Sequence, residues 1–453
     1  MIQELSVRFA ELAWGPWLLV LLLGGGGYFL IYSRLLPFRY LPHAALVLVG
    51  RFDDAKSDGQ VSHFQALSAA LAGTIGMGNI AGVAVAITVG GAGAIFWMWM
   101  SAILGIATKF FTCTLAVMYR GRDDEGEVQG GPMYVITEAL PSRVHFLGSF
   151  FATVGLVGCL PLFQANQLAK IVRDVAATEI APVDSPLLFD VGTGLVMAVV
   201  VGIVILGSIK RIAFAASRLV PAMTVLYVGA AVAILADSAD CIPSLLRGIV
   251  TDAFSGEAVA GGLLAVMITG VQRGAFSNEA GIGTEALAHG AARTREPVRE
   301  GLVAMLGPII DTLIICTATA LVILIAGGED ADGADGVLLT MRAFTSGLGV
   351  SGTWILLACV LVFALTTMLT YSYYGEKCFS FLAGARRVRV YRAIYLLMIP
   401  VAAAVSLDSA ISIIDGCYAL MAIPTMVSSL WLAPKVMAEA RRYFASMKSP
   451  GGA

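Results

Sequence analysis

Residues 72 to 82 read Ala72-Gly73-Thr74-Ile75-Gly76-Met77-Gly78-Asn79-Ile80-Ala81-Gly82. Gly73, Gly76, Gly78 and Gly82 thus interrupt the middle of one long apolar run. Each glycine lowers helix propensity by ~1 kcal/mol relative to alanine, so unwinding is cheap at this point. Further along, Gly270-Val271-Gln272-Arg273-Gly274-Ala275-Phe276-Ser277-Asn278-Glu279-Ala280-Gly281-Ile282-Gly283 repeats the pattern and adds Arg273, Asn278 and Glu279. Taken singly, a glycine-rich helix is explained equally well by close packing of small residues. The recurrence is what carries weight.

The chain around these stretches has 453 residues, 58% of them hydrophobic and only 13% charged. A soluble fold would carry about 25% charged residues, so the composition is that of an integral membrane protein. A formal net charge of −2 leaves no basic excess for a phosphate backbone, and nucleic-acid binding is excluded. Cys113, Cys159, Cys241, Cys316, Cys359, Cys378 and Cys417 lie far apart without a CxxC pair. They read as small buried hydrophobes, giving neither a disulfide framework nor a zinc site.

A spanning helix needs ~20 mostly apolar residues, and that ruler predicts about eleven spans. They fall near 14–33, 64–89, 93–118, 147–171, 187–207, 219–237, 259–283, 301–327, 352–382, 391–407 and 410–432. The first ends in Tyr32-Ser33-Arg34 without a small-x-small cleavage site and is expected to be retained.

Basic residues cluster after the odd-numbered spans: Arg34, Arg39, Arg51 and Lys56; Arg120, Arg122 and Arg143; Lys210, Arg211 and Arg218; Arg293, Arg295 and Arg299; Arg386, Arg387 and Arg389. The opposite loops hold Arg173, Arg247 and Arg342, and one is acidic through Glu329, Asp330, Asp332 and Asp335. By the positive-inside rule the N-terminus faces out, and the tail with Lys435, Arg441, Arg442 and Lys448 faces the cytoplasm. Setting the first span aside leaves two groups of five, so the predicted organisation is 1–63 (extra helix and linker), 64–237 and 259–432 (the two halves), and 433–453 (tail). Each glycine-broken span opens its half. An odd number of spans per half makes the repeat inverted, and broken helices in matching positions point to a transporter site at the midplane. Unwound amides attract a carboxylate, and carbonyls attract a cation or an ammonium. The expected ligands are therefore a small zwitterion and a monovalent cation.

Several motifs resemble the alanine or glycine:cation symporter family, also called sodium:alanine symporters. They are Phe64-Gln65-Ala66-Leu67 with Gly73 to Ala84, Gly130-Gly131-Pro132-Met133-Tyr134, Arg273 to Gly283, Glu296-Pro297-Val298-Arg299, Ile310-Asp311-Thr312 and Ser372-Tyr373-Tyr374-Gly375-Glu376-Lys377. The resemblance implies an all-α fold of the LeuT type, one extra helix plus a five-plus-five inverted repeat with two unwound helices. It implies import of a small neutral amino acid, alanine or glycine, by symport with Na⁺ through alternating access, in the plasma membrane (a bacterial inner membrane). It also implies a substrate carboxylate held at Met77, Gly78 and Asn79, and an ammonium end at the carbonyls near Thr74 and Phe276 with Ser277 and Asn278. Gln164 then matches the family's pocket glutamine, and Thr367 and Tyr371 complete the pocket. Na⁺ is expected at the carbonyls of Ala72 and Ile75 with the hydroxyls of Thr366 and Thr367, an uncharged oxygen cage suited to a monovalent ion. The chain departs from the family at Met77, at Thr284-Glu285-Ala286 in place of Ser-Ala-Pro, and at Thr370-Tyr371 in place of Gly-Trp.

Other readings stand beside these. Glu279 is expected to pair structurally with Arg273 across the unwound turn, with a coupling or proton-relay carboxylate as the alternative. Asp311 is read as structural, near a helix start. Thr366 and Thr367 would ordinarily bond back to their own helix. His43, His63, His145 and His289 are expected at cytoplasmic edges, which leaves a buried histidine switch unsupported. H⁺ is the alternative coupling ion and a channel the nearer rival class. No HExxH, GxSxG or phosphate-loop motif supports an enzyme.

Overall fold

The computed structural model describes residues 2–52, 57–255, 262–328, 336–404 and 408–447. Lys56, Glu329, Asp330, Asp332, Asp335 and Lys448, used above for orientation, lie outside them. The long helices in chain order are α1 (Gln3–Tyr32), α2 (His63–Thr74 joined to Gly78–Gly90), α3 (Gly93–Met118), α4 (Ser142–Ile180), α5 (Pro186–Ile205) and α6 (Ile209–Ala236). They continue with α7 (Gly262–Asn278), α8 (Pro297–Ile325), α9 (Val350–Ala383), α10 (Val388–Ala404) and α11 (Ser412–Ser446). Among the described residues, eight of these are single helices long and apolar enough to cross a membrane, and α2 is a bent pair that passes the same test. Helices α7 and α10, 17 residues each, abut the undescribed 256–261 and 405–407. Every expected span therefore coincides with a helix. The boundary drawn at residue 432 has no structural mark, because α11 runs on to Ser446.

The bundle is arranged around α3, the most enclosed of the eight unbroken spans, while α5 and α6 are the least enclosed of them. Close approach to α3 rests on small residues. A Cβ at Gly105 would lie 2.8 Å from the Ala280 Cβ, and one at Gly274 would lie 3.0 Å from the Ser101 Cβ. Such stripes let backbones meet where lipid offers no hydrophobic driving force. Leu188, Val199 and Val225 on α5 and α6 stay exposed, as lipid-facing positions should. Helix α1 packs onto this bundle from outside. Phe29 stacks on Phe111 of α3 with centroids 4.5 Å apart, and Trp14 Nε1 donates to the Asp415 carbonyl at 3.1 Å.

The basic loops converge at one end of the bundle. Arg120 donates to the carbonyls of Gly290 at 2.8 Å and Thr294 at 3.2 Å, and Arg299 donates to the Phe52 carbonyl at 2.9 Å. At the same end Gln60, Asp123, Lys210, Arg386 and Arg392 line a polar cavity of about 710 Å³. The loops with clustered charge thus share one side, as the charge count requires.

Candidate functional site

Helix α2 begins with a reciprocal cap, in which Ser62 accepts from the Gln65 amide while the Gln65 side chain accepts from the Ser62 amide. Its first half ends at Thr74, and the second resumes at Gly78 after a bend of 51°. In an intact helix the Gly76 N–H would close on the Ala72 carbonyl. Here it donates to Asn79 Oδ1 at 2.9 Å. The Asn79 N–H, which would close on Ile75, donates to the Gly76 carbonyl at 3.2 Å. The carbonyls of Ala72 and Ile75 therefore lose their helical donors, as groups at a helix end do. Glycine is required here by proximity to α9: a Cβ at Gly76 would collide with Thr367 Oγ1, and one at Gly73 would lie 3.2 Å from Thr370 Cγ2. Thr370 ties the two helices together through a 3.2 Å bond to the Ala69 carbonyl.

The second break sits later than the sequence reading placed it. Residues 262 to 278 form uninterrupted helix through Gln272, Arg273 and Gly274. The chain leaves the helix at Glu279, with φ +59°, and turns through Gly281 (+85°) and Gly283 (+98°) before a short helix, Glu285–His289, resumes. Glycine accommodates positive φ freely, whereas Glu279 holds it as a strained exception. The Ala280 N–H, which would close on Phe276, donates instead to Asn278 Oδ1 at 3.0 Å. That leaves the Phe276 carbonyl without its helical donor, as in α2. The two breaks face each other, since a Cβ built on Gly78 would stand 3.4 Å from the Ser277 Cα.

What joins them is Asp311, which is not near a helix start as expected. It lies in the middle of α8, where the helix widens to π geometry over Ile309–Cys316, a distortion frequent at functional sites. Asp311 is fully buried. Its carboxylate accepts from Asn79 Nδ2 at 2.6 Å, Ser277 Oγ at 2.6 Å and Thr312 Oγ1 at 2.7 Å. Asn79 Nδ2 also reaches Ser277 Oγ at 3.2 Å, and Asn278 Nδ2 donates to Thr312 Oγ1 at 3.3 Å. Cys316 adds a thiol 3.2 Å from Ser277 Oγ. One carboxylate thus ties α2, α7 and α8 into a single polar centre. The sequence signal was available in Asp311-Thr312 within an apolar run, but its partners lie 34 and 232 residues away.

The remaining candidates fall as follows. Thr366 and Thr367 are buried and donate into their own helix, Thr366 to Val362 at 2.8 Å and Thr367 to Phe363 at 2.9 Å, so their lone pairs remain for other donors or ions. Of the two, Thr367 abuts the break at Gly76. Thr74, Met77 and Gly78 are buried at the bend and Gln164 is buried on α4. Its neighbour Phe163 stands edge-on to Phe276 at 5.7 Å. Tyr371 is buried rather than lipid-facing; it stacks on Tyr418 of α11 at 6.3 Å, which in turn contacts Phe276 at 5.4 Å. The aromatic wall beside the breaks therefore includes Tyr418, which the sequence did not single out.

Three further expectations are overturned. Arg273 does not pair with Glu279; it acts electrostatically on Asp415 of α11, which also accepts from Gln272 at 3.0 Å. The intervening stretch is intact helix, so a six-residue offset keeps the two side chains apart. His63, the first residue of α2, and His289, the last of the short helix, do lie at helix ends next to the basic loops, but they are buried there on either side of a buried Glu300, each bonded to it through Nδ1, so a buried histidine pair exists after all. Finally, Cys241 is exposed rather than buried.

The sodium:alanine symporter family matches residues 1–451. The chain belongs to that family. A sodium/alanine symporter of Methanococcus maripaludis is 40% identical over 95% of this chain and 94% of its own length. A probable sodium/glutamine symporter of Bacillus subtilis is 34% identical over 97% of this chain and 90% of its own. The crystal structure of MhsT in complex with L-phenylalanine superposes with a TM-score of 0.56 at 13% identity, covering 84% of this chain and 98% of that one. The fold is therefore of the LeuT type, and this sodium:alanine symporter family member is a multi-pass membrane transporter rather than an enzyme.

Proposed function

We propose that the chain imports a small neutral amino acid, alanine or glycine, together with Na⁺ by alternating access across the plasma membrane. The observation that carries this reading is the pair of facing breaks, each with a carbonyl released by an asparagine side chain. Met77 and Gly78 open the second half of α2 and offer amides to the substrate carboxylate; the Asn79 amide is already engaged by Gly76. The Phe276 carbonyl, with Ser277, Asn278 and the Thr74 carbonyl, receives the ammonium group. Gln164, Thr367 and Tyr371 bound the side-chain space. Na⁺ takes the freed Ala72 and Ile75 carbonyls with Thr366 and Thr367, an oxygen set without formal charge. The printed name of the Methanococcus relative favours alanine and sodium, and that of the Bacillus relative makes substrate size worth testing. The repeat boundaries proposed are 64–237 and 259–432, with the basic-loop end in the cytoplasm together with the C-terminus.

The test is uptake of labelled alanine and glycine into proteoliposomes under separately imposed Na⁺ and pH gradients. A zwitterion moving with one Na⁺ carries one net charge, so a membrane potential should drive uptake by ~2.3 kcal/mol per 100 mV. Equal uptake in choline and sodium buffers, with full dependence on a pH gradient, would replace Na⁺ by H⁺ as the coupling ion.

A further inference from the structure

The chain that leaves α3 at the basic-loop end forms a small antiparallel hairpin, β1 (Gly121–Arg122) and β2 (Val128–Gln129), and then enters a short helix, Pro132–Ala139. Its turn is stiffened from within. Asp123 Oδ1 accepts from the amides of Glu125 at 3.1 Å and Glu127 at 2.9 Å, Asp123 Oδ2 accepts from Gln129 Nε2 at 2.5 Å, and Arg122 donates to the Gly126 carbonyl at 2.8 Å. The base of the hairpin belongs with the helices of the polar centre, since α3 packs closely on α7 at Gly274, and Asp311 ties α7 to α2 and α8. On the same side Gln60, just before α2, donates to Glu127 at 3.4 Å.

The tip of the hairpin reaches across to α9 and α10. Asp124 Oδ1 accepts from the Ala385 amide at 2.7 Å, where the first turn of the α9–α10 corner, Ala385–Arg387, has no helical acceptor of its own. Gly384 holds φ +88° at that corner, and a Cβ built on it would stand 2.9 Å from Asp124 Oδ2, so glycine lets the carboxylate seat there. Charge favours the contact as well: the hairpin carries Asp123, Asp124, Glu125 and Glu127, and the corner carries Arg386, Arg387 and Arg389. Deeper in, Lys377 of α9 is buried and donates to Gln129 Oε1, and Tyr134 of the short helix meets Phe381 of α9 edge-on with centroids 5.3 Å apart.

Between these two groups lies the polar cavity of about 710 Å³, walled by Asp123, Glu127 and Gln129 of the hairpin and by Tyr373, Lys377 and Ser380 of α9. The same helix carries Thr367 and Thr370 at the first break. Thr370 and Lys377 are seven residues apart, roughly 10 Å along a helix. Tyr374 fills the interval, fully buried, with its hydroxyl 3.2 Å from the place of a Cβ on Gly73 and without a hydrogen-bond partner among the described residues. Along α9 the way from the first break to water therefore passes Tyr374, then the Lys377–Gln129 bond, then the cavity. Resting on the alternating-access reading, we propose that the hairpin Gly121–Gln129 is a strap that holds the exit at the basic-loop end shut, and that it lets go of the α9–α10 corner each time substrate leaves. Asp124 on Ala385 is its outer latch, and Gln129 on Lys377 is its inner pin. An exposed hydrogen bond contributes little net stability because water offers the same partners, so the latch can open and reclose in every cycle.

The test uses the full chain with exposed Cys241 and half-buried Cys417 replaced by serine. Asp124→Cys combined with Ala385→Cys sets two thiols at the latch. Joining them by oxidation or a short bis-thiol reagent should lower labelled alanine uptake into proteoliposomes about tenfold or more, because a lid that cannot open stops the whole cycle. Cleaving an oxidised link with dithiothreitol should restore uptake in the same sample, and neither single-cysteine variant should respond to the oxidant. Sodium-dependent alanine binding to the linked protein should persist, since only the exit is locked. Uptake that survives the link overturns the strap, and so does loss of binding together with uptake, or a pair that cannot be joined at all. A second measurement makes no use of uptake. Spin labels on Glu125→Cys and Arg389→Cys, both exposed, report the separation of hairpin and corner. Compared without Na⁺, with Na⁺ and with Na⁺ plus alanine, they should show a second, longer distance whose share changes between conditions. One unchanged distance in all three overturns the strap while sodium-driven uptake leaves the symport reading intact. Conversely, a distance that responds in a protein that moves no alanine overturns the symport reading and keeps the strap.

Discussion

In α2 the chain bends by 51° between two helical halves, whereas beyond α7 it turns through three residues of positive φ before a five-residue helix resumes. The backbones differ, yet the hydrogen-bond problem is met by the same device. In each, an asparagine Oδ1 captures an amide that would otherwise close the helix, Asn79 taking Gly76 and Asn278 taking Ala280. Each asparagine then sends its NH₂ to α8, Asn79 to Asp311 and Asn278 to Thr312. An opened helix turn buried away from water must re-satisfy its polar groups, and a short amide side chain offers a donor and an acceptor at once. The breaks are not equivalent, however, because Asn79 also crosses to Ser277 on α7. The asparagine of the first break therefore bonds both α7 and α8, whereas that of the second bonds α8.

The largest effect should come from removing the shared anchor. Asp311→Ala strips three buried donors of their acceptor, each bond to a charged group being worth ~1.5 to 3 kcal/mol. Alanine uptake should fall about a hundredfold or more, with a lower melting temperature in detergent; Asp311→Asn should recover part of both. Wild-type uptake in the alanine variant would mean that the breaks are held open independently of α8.

The next effect tests the inequality of the breaks. Asn79→Ala should raise the half-saturating alanine concentration roughly fiftyfold and Asn278→Ala roughly tenfold, since the first loses its bonds to Asp311 and Ser277 and the second one bond to Thr312. Equal shifts would remove the hierarchy. A smaller change is expected on the α9 side of the first break. Thr367→Val should raise the half-saturating Na⁺ concentration about tenfold, Thr366→Val less, and Cys359→Ala not at all, because Thr367 is the hydroxyl set against Gly76. Unchanged sodium activation in both threonine variants would move the cation elsewhere.

The smallest predicted effect concerns selectivity. Tyr371 stacks on Tyr418 next to Phe276, so Tyr371→Trp should narrow the space and favour glycine and alanine over serine, threonine and valine. A methylene admitted or refused is worth ~1 to 3 kcal/mol, or about tenfold at the lower end. Competition of labelled alanine uptake by those amino acids measures it, and identical inhibition profiles would place the ring outside the pocket wall.

The primary structure located the long apolar helices and the first break, because apolar length and glycine clustering are local properties that a bilayer reads directly. It also carried the charge asymmetry that brings the basic loops to one end. It misplaced the second break, since Gly270 and Gly274 serve close packing against α3 while the turn needed Glu279, Gly281 and Gly283 in positive φ. Glycine types are the same in both uses, and only the neighbour decides between them. Tertiary structure alone decided the roles of Asp311, His63, His289 and Glu300. Each is an isolated polar residue in an apolar or loop context, and its meaning lies in partners from 11 to 237 residues away. Burial without water makes such groups find one another across the bundle, and sequence spacing holds no record of which one each will find.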